Sequence, residues 1–219
     1  MDLRVVWERI KENKLKGIGP CSDCPLRISD WVGSSWPPLL IQPENLEGIR
    51  IMVVTEGPNR KADERFLISL ANHPTFTFLY ALFKGRFKPW GEDANAYWTH
   101  VRKCFIDGRK GYGYRAILRC ESYLMDEVMA LKPKLIVSVG EKALNALFHT
   151  RGRIKLKQAF ESQVGGVYDT LDLQGFRCEV SVVPHPSGLS RFWNNPPENA
   201  PKILNDIVEK IENTLKTTN

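Results

Sequence analysis

The sequence predicts an α/β fold, a three-layer sandwich in which a central, largely parallel four-stranded sheet is flanked by helices. Two observations lead there. Short apolar runs rich in β-branched residues alternate along the chain with segments whose apolar residues recur every three or four positions, and strands separated by helices pair in parallel through crossover connections. Three of the runs also break straight into a turn, at Thr55-Glu56-Gly57-Pro58-Asn59, at Gly140 and at Pro184-His185-Pro186. In such sheets the functional site lies beyond the carboxyl ends of the strands.

Leu3, Trp7 and Ile10 stand at helical spacing, which predicts an amphipathic helix over residues 3–14, ended by Gly17 and Gly19-Pro20 just before Cys21. A loop rich in Pro and Trp runs on to Pro43. Residues 49–54, Ile-Arg-Ile-Met-Val-Val, read as a buried strand. A helix is expected from His73 to Phe83 and a second strand over 97–101. From Tyr114 to Leu131 the residues Ile117, Cys120, Leu124, Val128 and Leu131 mark one apolar helix face that carries Cys120, and Pro133 stops it. Leu135 to Val139 is a third strand, followed by a helix to about Phe148. Residues 154–175 are weakly patterned and read as an extended excursion. Cys178 to Val183 is the fourth strand. A last helix from about Pro201 buries Ile203, Leu204, Ile207, Val208, Ile211 and Leu215. Residues 1–219 show no internal repeat or domain boundary and are expected to form a single domain.

The 219 residues, 42% hydrophobic and 26% charged, describe an ordinary globular chain with a sizeable core. The N-terminal residues lack the apolar region of a secretory signal, and no apolar run is long enough to span a bilayer. A cytoplasmic protein with reduced thiols and no membrane partner is therefore expected. A net charge of +6 fits a polyanionic partner without requiring one.

Of the five cysteines, Cys21 and Cys24 form a Cys-x-x-Cys in a Gly/Pro-flanked loop, Cys104 follows a strand, and Cys120 faces inward on a helix. Four thiolates satisfy either a tetrahedral zinc or a [4Fe–4S] cluster. The spacing leaves three readings open: cluster, zinc, and unrelated core cysteines. The wide Cys104–Cys120 pair suits a bulkier cluster better than zinc. Cys178, on an apolar strand, reads as a small buried hydrophobe.

Several segments together resemble the uracil-DNA glycosylase superfamily, and its iron–sulfur branch, family 4, in particular. Cys21-Ser22-Asp23-Cys24-Pro25-Leu26 is similar to that branch's opening cysteine pair. Val53-Val54-Thr55-Glu56-Gly57-Pro58-Asn59 resembles its strand followed by Gly-Glu-Ala-Pro-Gly. Pro184-His185-Pro186-Ser187-Gly188-Leu189-Ser190-Arg191 resembles its His-Pro-Ser loop, and also the Asn-Pro-Ser-Gly-Leu-Ser-Arg loop of the mismatch-specific enzymes. Residues 97–104, Cys120 and the stretch 132–140 fall in the family's order. The resemblance implies a [4Fe–4S] cluster held by Cys21, Cys24, Cys104 and Cys120 in a structural role, DNA as partner, no nucleotide cofactor, and a monomer.

It also implies roles. An enzyme of this kind flips the nucleotide out of the duplex and hydrolyses its N-glycosidic bond, leaving an abasic site. Glu56 would stabilise the cationic sugar and orient the attacking water, and His185 would donate to the departing base. No lysine stands in these motifs as a Schiff-base nucleophile, so a monofunctional glycosylase is expected. Ser187 would hold a phosphate, Leu189 would wedge into the stack, and Arg191 would meet the backbone or the orphan base. Arg102, Lys103, Arg109 and Lys110 would add phosphate contacts. Read without the resemblance, Glu56 caps a helix, His185 is a rigid turn residue, and the basic residues at 102–110 are a solvated face. His73 and His149 read as structural.

The sequence departs from the family pattern where the base is recognised. His100 stands where an asparagine usually reads the uracil edge. Thr55 and Asn59 replace the glycines flanking Glu-Ala-Pro. The stretch that supplies a stacking aromatic is missing, with Phe66, Phe76 and Phe78 as candidate substitutes. Three functions follow: a glycosylase for uracil or another deaminated base such as hypoxanthine, a glycosylase for a bulkier modified base of the kind found in phage DNA, and a non-catalytic iron–sulfur DNA-binding module.

Overall fold

The computed structural model describes residues 2–22, 24, 43–57, 74–104, 113–150, 153–186 and 191–217. Its sheet is built from β1 (Ile51–Thr55), β2 (Ala96–His100), β3 (Leu135–Val139), β4 (Asp169–Leu173) and β5 (Phe176–Val183), in the order β2-β1-β3-β5-β4. β1, β2, β3 and β5 run parallel. The sheet thus has five strands, not the four expected from the sequence. The additional one, β4, lies in the excursion and pairs antiparallel with β5. It was hidden because an edge strand buries little: of its five residues only Leu171 is fully buried, so it shows neither an apolar run nor a clean alternation. Gln174 and Gly175 join the two strands with φ of 50° and 80°, the positive values that a tight two-residue hairpin turn demands and glycine meets without steric cost.

Among the described residues the helices are α1 (Leu3–Lys16), α2 (Pro74–Leu82), α3 (Gly113–Leu131), α4 (Glu141–Leu147), α5 (Leu156–Glu161), α6 (Arg191–Asn194) and α7 (Ala200–Lys216). Asp2 starts α1 by accepting a hydrogen bond from the Arg4 amide at 2.8 Å, and Gly17 ends it in the left-handed conformation.

Every residue of β1, β2 and β3 is buried, as befits strands covered on both faces. Successive side chains go to opposite layers. Met52 and Val54 join Trp7 and Ile10 of α1, Leu124 and Val128 of α3, and Leu144 of α4. Ile51 and Val53 join Leu79 of α2, Phe160 of α5 and Ile203, Ile207 and Ile211 of α7. Each of those isoleucines contributes about 1.5–3 kcal/mol by leaving water. Cys178 sits in the first of these layers, where burial pushes its thiol up to about 12, the environment of a small hydrophobe. No helix among the described residues is long and apolar enough to cross a membrane.

Candidate active site at the carboxyl edge of the sheet

The four parallel strands end side by side. Thr55 of β1 is in register with His100 of β2, and Ser138 of β3 with Val54 on one side and Val182 on the other. The pairing of β1 and β2 continues one step past the strands: Val101 N–H donates to the Thr55 carbonyl at 2.8 Å and Arg102 N–H to the Glu56 carbonyl at 2.9 Å. Glu56 is therefore fixed by backbone bonds at the edge of the sheet. Gly140 N–H donates to the Val183 carbonyl at 2.9 Å, which brings the start of α4 against the loop that carries His185.

Two cations meet the Glu56 carboxylate. Lys142 Nζ donates to Glu56 Oε1 at 2.7 Å, and an Arg102 guanidinium nitrogen lies 3.6 Å from the same oxygen. Arg102 also donates to the Cys104 carbonyl at 2.9 Å. Its guanidinium lies over Gly57, where an added Cβ would stand 2.6 Å from a terminal nitrogen; the residue after Glu56 must lack a side chain for this contact to exist. Burial pushes the Arg102 guanidinium below its ordinary value and Glu56 opposes the shift.

His185 is half-buried, and the Trp193 indole N–H donates to its carbonyl at 2.9 Å. Burial lowers its imidazole from the ordinary 6.5, while the Glu56 carboxylate pulls it up. Glu56 and His185 are thus within electrostatic reach of each other, on loops that follow β1 and β5. His100 is buried at the end of β2, its Nδ1 hydrogen-bonded to the Thr55 hydroxyl and its ring 6.0 Å from that of Trp98. Ser187 and Leu189 lie outside the described residues, as do Asn59, Phe66, His73, Arg109 and Lys110. Arg191 opens α6, and its side chain is likewise outside the description. Phe76 stacks with Tyr80 and Trp90, and Phe78 meets Trp193 edge-on.

The four remaining cysteines are buried and free of disulfides. Cys21 ends a short turn, Gly19–Cys21, that packs between α1 and α3. Burial pushes the thiols of Cys21, Cys104 and Cys120 up, the last to about 12, and the four groups act on one another: Cys24 and Cys104 both raise Cys21, and both raise Cys120. Lys14 Nζ reaches Cys104 Sγ at 3.0 Å, and Cys21 Sγ shares a hydrogen bond with the Tyr123 hydroxyl at 3.5 Å. Among the described residues, no group of three or more His, Cys, Asp or Glu side chains is arranged to hold a metal ion.

One expectation fails here. Lys103 does not face solvent: its side chain is 2% exposed and its ammonium group donates to Glu127 Oε2 at 2.5 Å, to the Thr99 hydroxyl at 2.9 Å and to the His100 carbonyl at 2.5 Å. All three of its donors are used, so it has none for a phosphate. Glu127 in turn accepts from Tyr97 and Thr99. Arg102 is also buried, and its contacts are internal. His149, expected to be structural, lies just after α4 with its Nδ1 3.2 Å from Glu121 of α3. The residue that sequence reasoning missed at the carboxyl edge is Lys142. Its one signal was its place in the first turn after a Gly-terminated strand.

The chain belongs to the uracil DNA glycosylase superfamily, whose pattern its residues 44–211 match. It is also similar to a type-4 uracil-DNA glycosylase of Saccharolobus solfataricus, 24% identical over 119 residues that make up 54% of this chain and 51% of that protein. The chain thus spans about half the length of the curated relative it matches.

Proposed function

We propose that the protein is a DNA glycosylase that flips a deaminated base, uracil foremost, out of DNA and hydrolyses its N-glycosidic bond. The observation that carries this reading is the placement of Glu56 and His185 on the loops that follow β1 and β5, at one edge of the sheet, in a chain of this superfamily. As the bond breaks, positive charge grows on the sugar and negative charge on the base. The Glu56 carboxylate stabilises the first and takes a proton from the attacking water. Arg102, which is buried, and Lys142, which is exposed, flank it. His185, kept neutral by burial, donates a hydrogen bond to the departing base without adding a charge of its own. His100 lies at the end of β2, beside β1, and is the group proposed to meet the edge of the base; its presence in place of asparagine favours testing bases other than uracil as well.

Cys21, Cys24, Cys104 and Cys120 are proposed to hold a [4Fe–4S] cluster. The support for this is the donor set, four buried thiols with no disulfide among them, which is the ligand chemistry of such clusters; among the described residues their side chains are not gathered into a ligating group. The group would tie the turn after α1 to α3 and to the loop after β2, and takes no part in hydrolysis.

The test is a panel of oligonucleotides containing uracil, hypoxanthine, xanthine, thymine mismatches or glucosylated hydroxymethylcytosine, followed by alkaline cleavage, together with iron, sulfide and zinc analysis of anaerobically purified protein. Cleavage at one base that disappears in Glu56→Gln and His185→Ala is the expected result. DNA binding without cleavage of any substrate would overturn it in favour of a non-catalytic DNA-binding module. Zinc in place of iron and sulfide would overturn the cluster.

A further inference from the structure

We propose that Lys142 gives this protein a second activity, an abasic-site lyase reaction in which its amine condenses with the aldehyde of a DNA sugar that has lost its base. The inference rests on the glycosylase reading, because the product of excision is its substrate. Lys142 Nζ lies 2.7 Å from Glu56 Oε1, so a carboxylate aimed at the anomeric carbon C1′ brings this amine alongside the same atom. The lysine is 53% exposed, and its four-carbon arm is free to swing from the carboxylate to a bound sugar. Lys103, by contrast, is enclosed by Glu127, Thr99 and the His100 carbonyl. When Lys142 leaves Glu56, Arg102 remains on the other side of the carboxylate at 3.6 Å, which keeps it paired and in place.

The chemistry balances without an oxidant or reductant. The ring-opened abasic sugar carries an aldehyde at C1′. Lys142 gives up a proton to solvent and its nitrogen adds to C1′; the N–C1′ bond forms and the carbonyl oxygen leaves as water, giving a protonated imine. That electron sink acidifies C2′, and the Glu56 carboxylate takes the C2′ proton. The electron pair of the C–H bond becomes the C2′–C3′ double bond while the C3′–O bond breaks, the phosphate departing with its electrons. Water then hydrolyses the imine and restores the amine. Excision itself still uses water; lysine acts only afterwards, on the aldehyde.

The experiment uses an oligonucleotide with a preformed abasic site, incubated with the full chain and sodium borohydride, which reduces the imine to a stable cross-link seen on a denaturing gel. Wild type is expected to cross-link, with peptide mapping placing the link on Lys142. Lys142→Arg keeps the positive charge but has no amine able to form the imine, and Lys142→Met has neither; in both, with wild-type circular dichroism, the cross-link is expected to be lost. No cross-link in wild type, or an undiminished one in both variants, overturns the proposal. The preformed site bypasses excision, so excision without cross-linking sinks the lyase alone, and cross-linking without excision sinks the glycosylase alone.

Discussion

The lysine–glutamate pairs Lys103–Glu127 and Lys142–Glu56 have nearly the same nitrogen–oxygen separation, 2.5 and 2.7 Å, and opposite surroundings. In the first, the side chains are 2% and 0% exposed; in the second, 53% and 34%. Burial turns the first into a fixture. Two charges taken out of water must find every partner they can, and here Tyr97, Thr99 and the His100 carbonyl complete the set. Exposure leaves the second pair weakly held and open to substrate. Equal distance therefore says little about role, and the number of partners and the access of water say much.

The comparison can be broken most directly at Glu56. Glu56→Gln is expected to lower base excision by about 10²–10⁴-fold with little change in the denaturation midpoint; a variant that unfolds instead would make Glu56 structural. Lys103→Met should do the reverse and destabilise the fold by about 3–5 kcal/mol in urea unfolding, because it leaves Glu127 buried and uncompensated. Adding Glu127→Gln should recover part of that loss, and a double variant no better than the single one would show that the pair is not what matters.

His185 offers a smaller, pH-dependent effect. Its folded value is depressed below 6.5, so the unfolded chain binds a proton first as pH falls. Its contribution to stability is present above 6.5 and is lost as pH drops through the lower, folded value. His185→Gln should flatten the slope of unfolding free energy against pH just below 6.5; an unchanged slope would place the imidazole in water. The smallest effect belongs to Lys142→Met, whose stability should stay within about 0.5 kcal/mol of wild type by thermal melting.

Much of this was legible in the sequence, for reasons that the same contrast explains. Runs such as Leu135 to Val139 announce themselves because strands buried on both faces have no polar positions to disguise them. The position of Glu56 and His185 at the carboxyl edge was legible because each directly follows such a run, in a turn marked by proline. β4 was not, since Asp169 and Asp172 are exposed and Thr170 only half-buried around a single buried leucine. Lys103 was misread because a basic pair in a loop ordinarily faces water. The counter-signal was Glu127, which falls on the same face of α3 as Cys120, Leu124 and Val128 and is fully buried there. A carboxylate on an apolar stripe asks for a buried cation, and Lys103, well before it in the chain, is that cation. Lys142 was invisible for another reason: only the adjacency of β1 and β3 carries the first turn of α4 to the residue after Thr55.

Arg102 touches Glu56, lies over Gly57 and holds the Cys104 carbonyl, so one side chain is a strut between the candidate catalytic carboxylate and the cysteine corner. A methyl group at position 57 would displace that strut and disturb both ends at once. Positions 57 and 102 are therefore coupled: a side chain gained at one is answered first by movement at the other, so the two are best varied together when the edge around Glu56 is to be reshaped without cutting it loose from the cysteine corner.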